Sequence, residues 1–346
     1  MGKHSGFQLI ACHVRVRAAF LIVSLTLFLS VRGFCQDPLF SQFYANPLYL
    51  NPALTGSGEC SRLMFNYRNQ WASLPVNFVT YSASADHYFN ALSGGLGILV
   101  ISDNIGGSLL NTLRASAMYS YHLKISNAMS LNAGFEATFH QQKLDYGSLI
   151  FRDMIDPVTG AIDPGSTQEI PINRNSVMAP DFSSGLVLGF REIIYTGIAV
   201  HHLTEPTIDY YSGSDHNLLY RKYTVHAGAR IPTSKGYSRS KNSPLVISPN
   251  VLFQYQQTAQ QLNAGLYLEK SPLTAGLWYR HNIDNADGVI FLVGINYNRL
   301  RIGYSYDVTL SKLKGTTGGS HEISAALLVN CDKKRNKPGA IKCPEF

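Results

Sequence analysis

Apolar and polar residues alternate along most of this chain, and this pattern strongly limits the folds that it can adopt. Between Ser130 and His140, the side chains of Leu131, Phe135 and Phe139 fall on one face of an extended chain, and the other face is mostly polar. A period of two places successive side chains on opposite sides of a β-strand, whereas an α-helix repeats about every 3.6 residues. No segment shows a sustained helical period, which predicts an all-β protein.

The alternation divides into fourteen candidate strands, most of them about ten residues long. A tilted strand needs about 9–11 residues to cross a bilayer. An even number of strands would put both chain ends on the same side of a barrel. The candidate strands lie near residues 62–71, 77–88, 93–103, 108–124, 128–141, 178–191, 193–204, 220–233, 244–256, 261–269, 272–282, 288–298, 300–310 and 320–330.

The joints between these strands alternate between short and long. Residues 89–92 and Arg299 form short joints, whereas the longest joint, 142–177, carries the turn-rich runs DPVTG and DPGS. Outer-membrane barrels have short turns in the periplasm and longer loops outside. One joint, 234–243, breaks the alternation because it is long on the predicted periplasmic side.

A soluble β-sandwich would show the same period but would expose a charged face to water. Here the second face is mostly Ser, Asn, Thr, Gly and His, and only 15% of the residues are charged. We therefore predict a transmembrane antiparallel β-barrel of about fourteen strands over residues 62–331, with both termini in the periplasm.

The first 35 residues have the pattern of an export signal. Basic residues up to Arg17 precede an uncharged apolar run at 18–31, and Gly33 and Cys35 are small residues before a cut at Gln36. An apolar run of fourteen residues is shorter than the roughly 20 that a membrane-spanning helix needs. We expect residues 1–35 to be a cleaved signal peptide and the mature protein to reach the cell outer membrane.

Removal of the signal changes the charge balance. Of the 29 basic residues, Lys3, Arg15, Arg17 and Arg32 lie in it, which leaves 25 against 22 acidic residues, a net charge of +3. The basic balance is thus partly a property of the signal, and nucleic acid is not an expected partner.

Three cysteines would remain in the mature chain, Cys60, Cys331 and Cys343. Export permits a disulfide. Cys331 and Cys343 are the nearest pair, Cys60 is a competing partner, and free thiols are an equal alternative.

Catalytic patterns are absent from the sequence. His201 and His202 are adjacent, so on a strand they would point to opposite faces and could not share a metal ion. Asp153, Asp156 and Asp163 in the long joint match no calcium cage. We expect neither enzyme activity nor a metal or cofactor.

Two further sets of residues have expected places in a barrel. Charged residues on the polar face would either line an open pore or pair across the lumen: Arg114, Glu136, Arg230, Arg280 and Arg301. Aromatic residues near the strand ends are expected at the level of the lipid headgroups: Tyr44, Tyr49, Phe65, Tyr67, Trp71, Trp278, Tyr279, Tyr297, Tyr304 and Tyr306.

The two ends of the mature chain carry specific motifs. Residues 36–56, QDPLFSQFYANPLYLNPALTG, are rich in Pro and Asn and lack alternation, which predicts an extended segment that is neither strand nor helix. The run YRNQW follows at 67–71, and the far end contains SYD at 305–307, GSHEIS at 319–324 and CP at 343–344. Together these motifs resemble the PorP/SprF family of the type IX secretion system in Bacteroidota.

The resemblance implies an outer-membrane barrel that works with the type IX translocon. Its partners would be a secreted cargo with a C-terminal sorting domain, such as a large adhesin of gliding motility, and periplasmic components such as PorK and PorN or peptidoglycan-linked proteins. A passive porin or small-solute channel is the rival function.

Residues 36–61 and the tail 332–346 would both lie in the periplasm and carry the contacts with partners. Phe40, Phe43 and Tyr44 are the candidates in the first segment. Basic side chains would give the tail an electrostatic contact, although a merely solvated tail is an equal alternative. These basic residues are Lys333, Lys334, Arg335, Lys337 and Lys342.

Overall fold

The chain forms a closed antiparallel β-barrel of fourteen strands in a computed structural model. The structure describes residues 37–74, 76–163, 165, 174–210, 217–233, 244–282, 285–310, 315 and 317–331. The strands are β1 Ser61–Gln70, β2 Phe78–Phe89, β3 Gly94–Ile105, β4 Leu110–Lys124, β5 Met129–Leu144, β6 Ser176–Phe190, β7 Ile194–His201, β8 Lys222–Ala229 with a continuation at Ile231–Pro232, β9 Val246–Gln256, β10 Ala259–Lys270, β11 Leu273–Asn282, β12 Asn285–Tyr297, β13 Leu300–Thr309 and β14 Ser320–Val329.

Each strand pairs with its neighbours in sequence, and β1 pairs with β14 to close the cylinder. Closure leaves no free edge along that seam, which is the condition for a sheet to stand in lipid. All fourteen predicted strands are confirmed, with boundaries within three residues of those expected.

The two faces of the wall differ as the alternation predicted. Phe65, Ile98 and Phe135 point outward, and each has about half or more of its surface exposed. Arg62 and Asn66 of β1 point inward and are buried. An apolar outer band and a polar inner face are what a barrel in lipid requires.

Ser61 at the start of β1 pairs with Val329 at the end of β14. The barrel therefore begins and finishes at one end, which we call the terminal end; the opposite end is the loop end. Most joints at the terminal end are short, and the longest joint, 145–175, lies at the loop end. Which end faces the periplasm stays a prediction.

The helical elements among the described residues are short. The only α-helix among them is Pro47–Leu50 (α1), and 3-10 turns occupy Phe43–Ala45, Pro52–Leu54, Asn90–Leu92, Tyr146–Ser148 and Arg152–Met154. The prediction that 36–56 contains no helix was therefore wrong, because the prolines begin tight helical turns there. In this described part of the chain, no helix is long and apolar enough to cross a membrane.

Candidate functional site

The segment that precedes β1 lies inside the barrel. Every residue from 40 to 56 is buried, and the segment contacts both inward-facing side chains and main-chain groups of the wall. We call residues 38–58 the plug. The expectation that this segment is an extended periplasmic arm was wrong. Phe40, Phe43 and Tyr44, expected to meet an outside partner, are 4–6% exposed. Phe43 and Tyr44 contact rings of the lumen wall instead, and Phe40 packs against Tyr49 of the plug.

An aromatic cluster holds one side of the plug. The Phe43 ring meets Trp278 of β11 edge to face at 5.0 Å between centroids. Tyr44 makes similar contacts with Tyr195 of β7 at 5.9 Å and Tyr267 of β10 at 6.2 Å. Such pairs contribute about 0.5–1.5 kcal/mol each beyond the area that they bury. The plug is therefore packed into the lumen as a core element.

Trp278 was expected at the lipid headgroups, and the structure places it in the lumen at 1% exposure. The signal was present in the sequence, since Trp278 is in phase with Thr274 and Arg280 on the polar face of β11. A large apolar side chain on the face that should meet water indicates that something apolar fills the lumen.

A buried polar cluster holds the start of the plug. The Ser41 N–H donates to Glu322 of β14 at 2.6 Å, and its hydroxyl donates to Asp307 of β13 at 2.5 Å. Arg68 of β1 donates to both carboxylates, at 3.1 Å to Glu322 and 2.9 Å to Asp307. The Gln42 N–H adds a bond to Glu322 at 3.1 Å. One guanidinium thus joins three strands around the seam to the plug.

Asn51 fastens the plug to the opposite wall. Its amide nitrogen lies 3.3 Å from the carbonyl oxygen of Leu186 in β6 and 3.1 Å from that of Ile198 in β7. Its side-chain oxygen accepts the N–H of Ala53 at 2.9 Å and so caps the following 3-10 turn. A single buried side chain therefore fixes both the wall contact and the local fold.

Tyr49 forms a third attachment, near the loop end. Lys222 of β8 donates to its hydroxyl at 3.1 Å, and the same ammonium lies 4.4 Å from the ring centroid. The Tyr49 hydroxyl in turn donates to the carbonyl oxygen of Pro38 at 2.5 Å. A buried cation over an aromatic face contributes about 2 kcal/mol.

Glycines on the inner wall make room for the plug backbone. A Cβ atom on Gly134 of β5 would overlap the backbone of Ala53, and one on Gly95 of β3 would overlap Thr55. A Cβ atom on Gly185 of β6 would instead overlap the Asn51 side chain. Gly134 and Gly95 need glycine for backbone proximity, and a count of glycines could not distinguish them from others in the sheet.

The five predicted lumen charges fall in two groups. Arg230 pairs with Glu269 at 2.8 Å, and Arg280 pairs with Asp287 and Asp307. These two arginines therefore pair with carboxylates on nearby strands and not across the lumen. Arg301 is only half-buried. The three remaining residues all lie on the inward face of their strands: Arg114, Glu136 and Arg301.

The disulfide joins Cys60 to Cys331. The preferred pairing of Cys331 with Cys343 was therefore wrong. The physical reason is the seam, because the Ser61–Val329 pair brings the flanking cysteines to a Cα–Cα distance of 4.5 Å. Cys343 and the basic residues of the tail 332–346 lie outside the described residues, as does the predicted signal peptide.

The aspartates of the long loop serve turns. Asp156 accepts the N–H groups of Val158 at 2.7 Å and Thr159 at 2.9 Å through one carboxylate oxygen. These backbone donors hold the pKa of Asp156 below its usual value. Asp163 likewise accepts the N–H of Gly165. Within the described ranges, no group of three or more His, Cys, Asp or Glu side chains is placed to hold a metal ion.

Fold and lumen together define a class: a transmembrane β-barrel of the outer-membrane type whose lumen holds its own N-terminal segment. The chain belongs to the PorP/SprF family of type IX secretion system membrane proteins, and the family model matches residues 33–327. None of the curated proteins with which the sequence was compared matches it.

Several solved outer-membrane proteins are similar to this chain. A Pseudomonas aeruginosa FadL homologue is 12% identical, with a TM-score of 0.45 over 86% of this chain and 99% of its own. The CymD monoaromatic hydrocarbon channel is 11% identical, with a TM-score of 0.47 over 82% and 93%. Omp33 of Acinetobacter baumannii is 7% identical, with a TM-score of 0.44 over 80% and 100%. Similarities this weak carry no argument about what this barrel binds or conducts.

Proposed function

We propose that this barrel serves type IX secretion as a closed, membrane-fixed platform. Its loop end supports export or surface anchoring of a secreted protein, such as a gliding adhesin, and its terminal end contacts periplasmic secretion components. The protein is a structural and binding component and catalyses no reaction. The proposal is based on the buried plug inside the barrel.

The plug favours a platform over a passive porin. It contacts β1, β13 and β14 through Ser41 and Gln42, and it reaches β6 and β7 on the opposite side through Asn51. A segment held on both sides of the lumen by buried hydrogen bonds and ring contacts would have to leave before solute could cross. A water-filled porin instead keeps a polar interior open.

The asymmetry of the two ends supports the assignment of sides. Short turns mark the periplasmic side of outer-membrane barrels, and the terminal end has most of the short turns. The tail beyond Cys331 then begins in the periplasm, where its basic residues can meet an acidic partner. The longer joint, 145–175, then faces outward, where an exported protein emerges.

A deletion strain tests the proposal. We expect loss of the barrel to remove one or a few proteins from the cell surface and culture medium, and plasmid-borne wild-type protein should restore them. Quantitative mass spectrometry of both fractions measures this, with vancomycin sensitivity as the control for a general membrane defect. An unchanged set of surface and secreted proteins would contradict the proposal. N-terminal sequencing of the mature chain tests cleavage before Gln36 separately.

A further inference from the structure

We propose that the loop-end half of β6 is a docking edge, at which an extended strand of the exported partner pairs with the barrel wall. The inference rests on the proposed function, because it names the place and the manner in which the platform holds its cargo. The surface consists of the main-chain groups of residues 176–180.

The barrel wall has unequal height, and this difference creates the edge. Strand β6 begins at Ser176 and is paired to β5 along its whole length. Its pairing with β7, however, ends at Ser184 opposite Val200. Strand β7 itself ends at His201. The chain just after β7 still bonds to Phe182 through Leu203, so residues 176–180 are the part of β6 that extends beyond its neighbour.

Two backbone hydrogen bonds near β6 show which of its main-chain groups face β5 and which face the β7 side. In an antiparallel pair, the N–H and C=O of one residue face the same neighbour. Arg191, just after β6, donates its N–H to Ala128 on the β5 side at 2.7 Å. The Phe182 carbonyl accepts the Leu203 N–H on the other side at 2.9 Å. Odd-numbered residues of β6 thus face β5, and even-numbered residues face away from it.

The groups that face the free side are those of Ser176, Met178 and Pro180. Pro180 has no N–H, so it offers only a carbonyl there and leaves no donor unsatisfied. Proline within a sheet is confined to edges and bulges. Pro180 lies within β6, which is paired with β5 along its whole length. The side of β6 that faces away from β5 is therefore not expected to be paired with a regular strand at this level.

Nothing among the described residues covers this edge. The joint after β7 first bonds to Asp181 and Phe182 of β6 through residues 202–204. Its described part beyond that pairs with itself, through the bridge between Thr207 and Leu218 and the bond from the Leu219 N–H to the Pro206 carbonyl. The Met178 side chain lies on the outer face of the wall, where it is 58% exposed. Its main chain makes no bond on the free side within that described part.

The chemistry of the edge selects the occupant. Lipid tails offer no donors or acceptors, so they cannot satisfy main-chain groups. An extended peptide satisfies them in register and adds a strand to the sheet. The position at the loop end, next to the longest joint, makes the exported protein the partner that can reach it. A second copy of this chain is the alternative that the test must separate.

The first arm of the test uses the deletion strain and two substitutions at one position. Met178→Pro removes the donor on the free side and fills that side with a ring, but it leaves the β5 ladder intact because the Met178 N–H faces away from β5. Met178→Ala keeps the donor. We expect Met178→Pro to lower surface display of the affected protein at least about fivefold, as loss of one or two hydrogen bonds implies, and Met178→Ala to leave it near wild type. Heat-modifiable migration on gels verifies that each variant folds.

The second arm does not depend on how the proline variant folds. A photoreactive p-benzoylphenylalanine replaces Met178 in cells, with Ile198 of β7, outward and 51% exposed, as the matched control site. We expect a crosslink from position 178 to the protein whose display the deletion abolishes, and none from position 198. Crosslinks only to a second copy of the barrel, or equal crosslinks at both sites, would overturn the inference.

Failure of the proposed function and failure of the docking edge alone would give different results. If deletion leaves the surface proteins unchanged, the proposed function is wrong and the docking edge falls with it. If deletion abolishes display but Met178→Pro, correctly folded, behaves as wild type and position 178 gives no crosslink, the platform stands and only the docking edge is wrong.

Discussion

Gly134 of β5 lies against Ala53 of the plug so closely that a Cβ atom on the glycine would overlap the Ala53 backbone nitrogen. The wall and the plug are therefore matched at the level of main-chain atoms. A single added methyl group at Gly134 should therefore displace the plug, so a substitution there can test whether the plug closes the lumen.

Replacement of Gly134 by Ala should loosen the plug. Overpacking of this kind costs about 1–3 kcal/mol, and because the wall is held by its ladder, the plug is the part that can move. We expect transient ion conductance in planar bilayers that wild-type protein lacks. Gly147→Ala is the control, since a Cβ there meets only ordinary contact at 3.7 Å. A silent Gly134→Ala barrel would show that the wall yields instead.

Loss of Arg68 should destabilise the barrel strongly. The side chain is 1% exposed and is the guanidinium shared by Asp307 and Glu322. Its replacement by Ala leaves two buried carboxylates without it, at a cost of about 3–5 kcal/mol. Urea unfolding in detergent micelles measures this. Arg221→Ala removes an exposed ion pair with Glu205 and should cost no more than about 1 kcal/mol; equal effects of the two substitutions would count against a structural role for the seam cluster.

The Cys60–Cys331 disulfide should stabilise the closed seam. It closes a loop of 271 residues, and chain entropy alone assigns such a link about 5–6 kcal/mol. We expect Cys60→Ser to unfold at lower urea concentration and to lose the shift in gel mobility that reduction causes. Cys343→Ser should keep that shift. Peptide mapping that found Cys331 linked to Cys343 would contradict the assignment.

The long loop should show a pH dependence centred on Asp156. Because backbone N–H donors lower the pKa of Asp156, the turn that it caps is fully stabilised above the ordinary carboxylate pKa and loses that contribution as pH falls through the lowered value. Hydrogen exchange of residues 155–163 should show protection falling with acid in wild type. Asp156→Asn retains an acceptor but does not titrate, so its protection should stay level; a parallel decline in both proteins would rule out this carboxylate.

The wall of the barrel could be predicted from the sequence, whereas its contents could not. Alternation depends only on which face each residue takes, so the strands and the tight joints such as Arg299 followed directly. The plug has no period to detect, because its short helical turns begin at Pro47 and Pro52 and bury residues on all sides. Its presence was indicated only indirectly, by Trp278 and Tyr267 on the polar face.

The disulfide shows the same limit. Proximity in sequence favoured Cys343, but the pairing depends on barrel closure, which brings residues from opposite ends of the chain together. Once β1 and β14 are aligned with Ser61 opposite Val329, the pairing of Cys60 with Cys331 follows from the register.

If this barrel acts as a platform in type IX secretion, the plug should keep its lumen closed to solutes. The decisive experiment is to measure the conductance of the purified, folded, full-length protein in planar lipid bilayers. We predict no steady single-channel current over a range of voltages. A stable, wild-type conductance of the size that open porins show would contradict it.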